Sequence, residues 1–559
     1  MTNIDWIIAI GCLAFILWYG YRKNAVNASA DDYLRAGMSM PWHTVLLGVM
    51  ATQASAITFL SAPGQAFSDG MRFVQYYFGL PLAMIVISAV FIPIFRRQNI
   101  FTAYEYLEQR FDRPTRILAS ILFLISRGLS TGVSIYAPSI ILSTLLGLDI
   151  MVANVLVGGL LILYTWRGGA PAVARTQKLM FGIILGSMAV AGILIIPALP
   201  EGIGFTDTLL LAGKAGKLNI ITTTFDINDR YNLLSGIVGG FFLALSYFGT
   251  DQSQVGRFLG GKDVDASRIG LLMNGLVKIP MQMGVLFVGA LLAALYALTP
   301  APVNFNPATI SAAYEGNEQQ HRELSAEWET IQHARQDAAR TVIATGGEDQ
   351  PAVERFQRVD SAAAAVRAHY ASMAHKAGAA EKSDTNYVFL HFVRTSLPAG
   401  MVGLIFAIVV MASWGSISAA LHSLATASVV DVHLLLAPQK RSKSVELARW
   451  HTLVWGVGGI GVAMLAARMG SLIEAVNILG SLFYGPILGL FLLAFFFPSV
   501  RGRAAMVATI AAEIVVLLCF QFNVVSFLWL NVIGAAVAVA VGNLMAHPSD
   551  ASGGDETPQ

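Results

Sequence analysis

The stretch Met50-Ala51-Thr52-Gln53-Ala54-Ser55-Ala56-Ile57-Thr58-Phe59 lies inside the apolar run 42–62. Four polar side chains, Thr52, Gln53, Ser55 and Thr58, crowd there into about two helical turns. One structure that tolerates such a cluster in lipid is a helix interrupted at mid-membrane, whose freed carbonyls face a cavity. Small-residue helix packing, with hydroxyls bonded back to the preceding turn, also fits the stretch. A second stretch of the same kind, Ser246-Tyr247-Phe248-Gly249-Thr250-Asp251-Gln252, lies in the run 232–256, five spans further on. That interval is expected if spans two to six and seven to eleven form an inverted repeat, each half opening with a broken helix.

The composition of the whole chain agrees with lipid as its main solvent. Of 559 residues, 55% are hydrophobic and 13% charged, about half the charged fraction of a soluble domain. Charge this sparse cannot cover a water-facing surface of that size. The net charge of +2 gives no reason to invoke nucleic acid. Cys12 and Cys519 sit in apolar runs and make no disulfide or zinc pattern. The first run, Trp6 to Tyr21, follows Asp5 rather than a basic segment and leads into Arg22-Lys23, so it reads as a retained span and not a signal peptide.

Runs of about 20 apolar residues number about thirteen, near 5–21, 42–62, 73–95, 117–146, 150–166, 174–199, 232–256, 268–299, 387–430, 447–468, 472–498, 504–521 and 523–546. Lysine and arginine cluster after the odd-numbered spans: Arg22, Lys23 and Arg35; Arg96 to Arg116; Arg167, Arg175 and Lys178; Arg257 to Arg268; Lys440 to Arg449; Arg501 and Arg503. By the positive-inside rule those loops are cytoplasmic, the N-terminus is outside and the C-terminus is inside. The expected setting is a bacterial-type inner membrane. A hydrophilic piece, 300–385, interrupts the pattern and reads as an external helical hairpin turning at Thr345-Gly346-Gly347, its second helix opening at Asp349-Gln350-Pro351. It is a solvated decoration, a lid or a docking site. The expected units are 1–31 (an extra span and loop), 32–299 and 386–498 (the core), 300–385 (the insert) and 499–559 (two peripheral spans and a tail).

Other residues add chemistry. Span nine holds Ser413-Trp414-Gly415-Ser416-Ile417-Ser418, whose hydroxyls suit a small hard cation. Arg127 in span four and Lys278 in span eight are cations at membrane depth; isolation there is costly, so each reads as a receiver of a solute carboxylate or hydroxyl, or as half of an interhelical pair. Tyr247 reads as an aromatic gate over the solute, or as core packing. No nucleophile–histidine–acid set, paired carboxylate or metal cluster is visible at mid-membrane, so an enzyme is not expected.

Tyr104-Glu105-Tyr106-Leu107-Glu108-Gln109-Arg110-Phe111, Tyr247-Phe248-Gly249-Thr250-Asp251-Gln252-Ser253-Gln254-Val255-Gly256-Arg257 and Gly485-Pro486-Ile487-Leu488-Gly489-Leu490-Phe491-Leu492-Leu493 resemble three motifs of the sodium/solute symporter family. The resemblance runs from about Asp32 to Pro498, apart from the insert. It implies a LeuT-like core of five plus five spans and sodium-driven uptake of a small organic solute. It also implies a sodium site of carbonyls from Ala51, Ala54 and Ala412 and a hydroxyl pair at positions 415 and 416. Here Gly415 replaces one hydroxyl and Ser416 supplies the other, with Ser413 or Ser418 as substitutes. Gln177 stands where the family often has an acid, beside Lys178, which bears on coupling and keeps a proton-coupled or uncoupled carrier in view. Gln53, Ser55, Thr58, Tyr247, Lys278 and Arg127 are the candidate solute-site residues, and the resemblance places Lys278 near a lysine of the solute pocket in members that carry sugar. Thr58 occupies the position of a sugar-contacting glutamine, which weakens a sugar assignment. A solute sensor is a further alternative; the short tail His547 to Gln559 offers it no output domain. The expected partners are solute, sodium and lipid, with no obligate protein partner.

Overall fold

Lipid offers no partners to backbone N–H and C=O groups, so apolar runs close their hydrogen bonds within helices. The computed structural model describes residues 2–21, 40–53, 55–98, 100, 102–437 and 444–546, with side chains throughout except at 16, 17, 19–21, 167–180 and 184. Helix α1 (Asn3–Tyr21) leads to a pair, α2 (Trp42–Gln53) and α3 (Ala56–Asp69), where one span is expected to break. A 3-10 segment Gly70–Tyr77 follows, then α4 (Leu80–Val86) and α5 (Ile92–Arg97) joined through a π turn. Next come α6 (Ala103–Arg110), which forms where the sequence reads as a loop, α7 (Arg113–Leu146), α8 (Ile150–Ile193) and α9 (Phe205–Lys214). The second interrupted span is α10 (Gly240–Thr250) and α11 (Gln252–Leu259), followed by α12 (Val264–Leu298). After the hydrophilic insert, α13 (Pro307–Gly316), α14 (Glu318–Ala344) and α15 (Gln350–Lys376), the chain continues as α16 (Val388–Ser396), α17 (Met401–Ala427), α18 (Ser444–Ala466), α19 (Leu472–Phe496), α20 (Gly502–Gln521) and α21 (Phe527–Leu544).

Among the described residues nine helical runs are long and apolar enough to cross a membrane, and Asn3–Phe15, Ile150–Trp166 and Ser235–Thr250 are shorter apolar helices. Their outward faces expose Leu82, Leu160, Leu163, Val454, Val457 and Leu518, large apolar side chains that suit lipid and not water. The protein is an all-α, polytopic membrane protein.

Three runs differ from their expected bounds. The run 387–430 divides into α16 and α17, because Pro398 and Gly400, with φ +92°, end one helix and redirect the chain into the next. Asp5 of α1 then caps α17, its Oδ1 accepting from the N–H groups of Gly400 at 2.7 Å and Gly403 at 3.0 Å. The expected span 150–166 and most of 174–199 fall in the 44-residue α8, which ends at Ile193. Straight, that helix would be about 66 Å long, over twice the hydrocarbon core. Yet Ile150 borders a cavity beside Glu381, and Leu199, just past the other end, packs with Leu298 and the insert. Both ends lie on the insert's side, so the run enters and returns.

The insert holds three helices where two are expected. α14 and α15 run antiparallel, as the pairs His321–Tyr370 and Arg335–Asp360 require, and turn at Gly346 and Gly347, both with positive φ. The pair is bolted to the end of α12: Gln332 Nε2 donates to the Tyr296 carbonyl at 2.8 Å and Arg335 Nη1 at 3.1 Å. That carbonyl lies in the last turn of a helix and lacks an intrahelical partner. Arg367 lies 5.4 Å from the ring centroid of Phe67 in α3, which ties the hairpin to the first interrupted span.

Candidate functional site

Each break holds an extended residue. Ser55 (φ −88°, ψ 171°) stands just before α3 at the first, and Asp251 (φ −76°, ψ 118°) separates α10 from α11 at the second. At the first, the Ser55 N–H donates to the Gln53 carbonyl at 3.0 Å instead of to Ala51 four residues back. Thr58 Oγ1 donates to the same Gln53 carbonyl at 3.3 Å. Gln53 Nε2 donates to Asn274 Oδ1 of α12 at 3.0 Å, one turn before Lys278.

At the second break Asp251 works with both oxygens. Its Oδ1 accepts from the Ser253 N–H at 2.8 Å and the Ser253 hydroxyl at 2.6 Å, capping α11. Its Oδ2 accepts from Arg127 Nη2 and, at 3.2 Å, from the Tyr484 hydroxyl. Helix α6 closes the break from the other side. Tyr104 Oη donates to the Thr250 carbonyl at 2.9 Å, and the Ala103 N–H donates to Gln252 Oε1 at 3.0 Å. The tyrosine-rich stretch after Thr102 and the stretch ending at Arg257 thus form one joint. The third stretch lies behind it: a Cβ on Gly485 would meet the Leu530 and Asn531 carbonyls of α21 at 2.9 and 2.8 Å, so only glycine allows that crossing.

Between the breaks lies a cavity whose walls include Gln53, Ser55, Thr58, Arg127, Tyr247 and Lys278. The six residues expected to meet solute therefore share one space. Arg127 enters already paired with Asp251, its guanidinium 5.4 Å from the Tyr247 ring centroid. Tyr247 forms the floor, its hydroxyl accepting from Gln254 Nε2 at 2.6 Å. Lys278 is 2% exposed and makes no ion pair among the described residues; its ammonium lies 5.4 Å from the Tyr77 ring centroid. A buried ammonium facing a polar cavity without a counter-ion is the chief electrostatic feature of this space.

The residues expected around sodium are spread more unevenly. Ser416 lines the cavity, its hydroxyl bonded to the Ala412 carbonyl at 3.0 Å. Ala51 is buried in the last turn of α2. Ser413 donates to the Val409 carbonyl at 2.7 Å. Ser418 does not line the cavity; it sits about 200° around α17 from Ser416, and its hydroxyl is buried without a partner among the described residues. Trp414 stacks on Tyr164 of α8, ring centroids 5.8 Å apart, and so turns away from the cavity. Ala54, and the side chains of Gln177 and Lys178, lie outside the described residues.

Sequence reasoning missed several walls of the cavity. Ser130, Thr131 and Ser134 fall three, four and seven residues after Arg127, the spacing of one helix face. Asp251 carried the same signal as Arg127, an ionisable group at membrane depth. Tyr76, Tyr77 and Asn477, with Tyr76 Oη donating to Asn477 Oδ1 at 3.0 Å, carried none.

Two interrupted helices facing each other across a polar, half-buried cavity define a membrane carrier of small solutes and not an enzyme. The chain belongs to the sodium:solute symporter family, whose model matches residues 33–327 and 362–512. It is a secondary active symporter that couples a small organic solute to sodium. It is 25% identical over 553 residues to a sodium/sialic acid symporter of Proteus mirabilis, covering 97% of this chain and 95% of that one. It is 25% identical to the human sodium-coupled monocarboxylate transporter 1, over 91% of this chain and 71% of that one. With the human sodium/iodide cotransporter it shares 30% identity over 261 residues, 46% of this chain and 40% of that one. The solved substrate-bound, outward-open structure of a Na+-coupled sialic acid symporter has the same fold, with a TM-score of 0.74 at 23% identity and 98% coverage of both chains.

Proposed function

We propose that the solute is a small organic anion and that its carboxylate is received by Lys278. The observation that carries this reading is the Lys278 ammonium, buried against the cavity with no acid paired to it among the described residues. Arg127 shares its charge with Asp251 and contributes direction more than net charge. The relatives' printed solutes, sialic acid, monocarboxylates and iodide, have a negative charge in common, which supports the same reading. Gln53, Ser55 and Thr58 hydrogen-bond the rest of the solute, and Tyr247 closes beneath it.

Sodium sits beside the first break, on the carbonyls of Ala51, Ala54 and Ala412 and the hydroxyl of Ser416. With Gly415 in place of a second hydroxyl, Ser413 or a water completes the shell. Gln177 and Lys178 leave no acid for a second ion of the kind some relatives use. Sodium and solute together stabilise one state of an alternating-access cycle, in which the broken helices and their partners rock against the remaining spans.

The architecture that fits is about thirteen spans, with a core of 32–299 and 386–498 built as five plus five inverted spans. Residues 1–31 and 499–559 are peripheral, and 300–385 is an external hairpin. The basic loops put the N-terminus outside and the C-terminus inside a bacterial-type inner membrane.

The test is uptake into proteoliposomes under an inward sodium gradient, with radiolabelled N-acetylneuraminate, pyruvate and a neutral hexose. Carboxylate uptake that falls at least about tenfold in Lys278→Gln, roughly the value of one charge-assisted hydrogen bond, is expected. Hexose uptake that Lys278→Gln leaves unchanged refutes the anionic solute.

A further inference from the structure

Arg257 is a second cation that the cavity does not use. It lies in α11, 8% exposed, and makes no hydrogen bond or ion pair among the described residues. The helices packed against α11 include α2, α12 and α17. The only acid those three hold is Asp265, which pairs with Arg268 at 3.9 Å. Asp251, at the head of α11, is taken by Arg127. An arginine this buried is costly without a counter-charge, and none stands against it among the described residues, which leaves its donors open to a ligand.

The position says which partner. Ser253 lines the cavity, and Arg257 follows it by four residues, on the same face of α11 and about 6 Å further from the cavity. The displacement is toward the end where Met40 bridges to Gly261, opposite the insert. Between the two levels lies the Tyr247–Gln254 hydrogen bond that makes the cavity floor. Across from Arg257 stands Gly48 of α2, whose Cβ position would lie 4.0 Å from Arg257 Cδ. The arginine therefore lies under the floor, against the first half of the other broken helix.

Resting on the reading of the solute as an organic anion, we propose that Arg257 is a second anion station, which holds the solute carboxylate after Tyr247 swings aside and before release to the inner face. A guanidinium offers a carboxylate two parallel N–H donors. A station beyond Lys278 and Arg127 on the way to the inner face gives the anion a second cation to move to in a low-dielectric passage.

The experiment measures half-saturating concentrations on each side separately, in proteoliposomes of determined orientation, with radiolabelled N-acetylneuraminate and pyruvate. In Arg257→Met the inner-side value for efflux rises at least about tenfold, the loss of one strong charge-assisted contact, while the outer-side value stays within about twofold. Arg257→Lys, which keeps the charge but loses the fork, gives an intermediate inner-side shift and guards against a folding failure in Arg257→Met. Equal changes on both sides, or none on the inner side, overturn the station while leaving the anionic solute intact. A wild-type protein that carries neither carboxylate overturns both.

Discussion

Arg127 and Asp251 meet across 124 residues of chain, and each satisfies a charge that lipid could not. Breaking such a buried pair from one side costs about 3–5 kcal/mol, because the surviving charge is left uncompensated. Arg127→Met is therefore expected to lower thermal stability sharply, and the double variant Arg127→Met, Asp251→Asn to recover most of the loss. A double variant no more stable than the single one would mean the two side chains do not act as a pair. Both ions are legible in the sequence as ionisable groups inside apolar runs. Their partnership is not, because it depends on which spans are neighbours, and periodicity along one helix carries nothing about that. Glu381 is illegible for a different reason: it stands in a hydrophilic segment where acids are ordinary. The fold buries it and gives its Oε1 the hydroxyls of Tyr136 and Tyr387. Burial pushes its carboxyl up to about 7 from an ordinary 4.5. Between those values the native state binds more protons than the unfolded one, so stability falls as pH rises from about 4.5 to about 7, by up to about 3 kcal/mol, and then levels. Melting curves of wild type and Glu381→Gln across this range check it; the glutamine variant should lack that fall.

At the scale of elements, the two interruptions are where sequence reading succeeded. Polar, small residues packed into an apolar run mark Ser55 and Asp251 as places where the helix gives up hydrogen bonds. The short helix α6 escaped that reading because Ala103–Arg110 is neither long nor apolar; Thr102 caps it by accepting from the Glu105 N–H. Its work is tertiary: Tyr104 satisfies the Thr250 carbonyl that the second break exposes. Tyr104→Phe removes that donor and strands a buried carbonyl, at about 1–3 kcal/mol. The cost falls on the joint that must move during transport, so the uptake rate is expected to drop more than the melting temperature. A variant that loses stability but transports at the wild-type rate would show α6 to be packing only. The division of 387–430 into two helices is, in hindsight, written in Pro398 and Gly400; hydropathy alone runs straight across them.

For the whole molecule, composition fixed the solvent and the motifs fixed the family, while the cavity came only from the assembled bundle. Residues from α2, α3, α7, α10, α12 and α17 meet there, and no stretch of sequence holds more than a few of them. On the function we propose, sodium beside the first break prepares a cavity whose buried cation takes an organic anion. The most direct measurement is the thermal stability of the purified protein in sodium chloride and in choline chloride at equal ionic strength, each with and without N-acetylneuraminate or pyruvate, in wild type and Ser416→Ala. A ligand bound only to the folded state adds RT ln(1 + [L]/Kd), about 2.7 kcal/mol at a hundred times Kd. The expected result is a rise in sodium, a further rise with carboxylate in sodium alone, and loss of both in Ser416→Ala. Carboxylate stabilisation of equal size in choline, or a sodium effect untouched by Ser416→Ala, would contradict it.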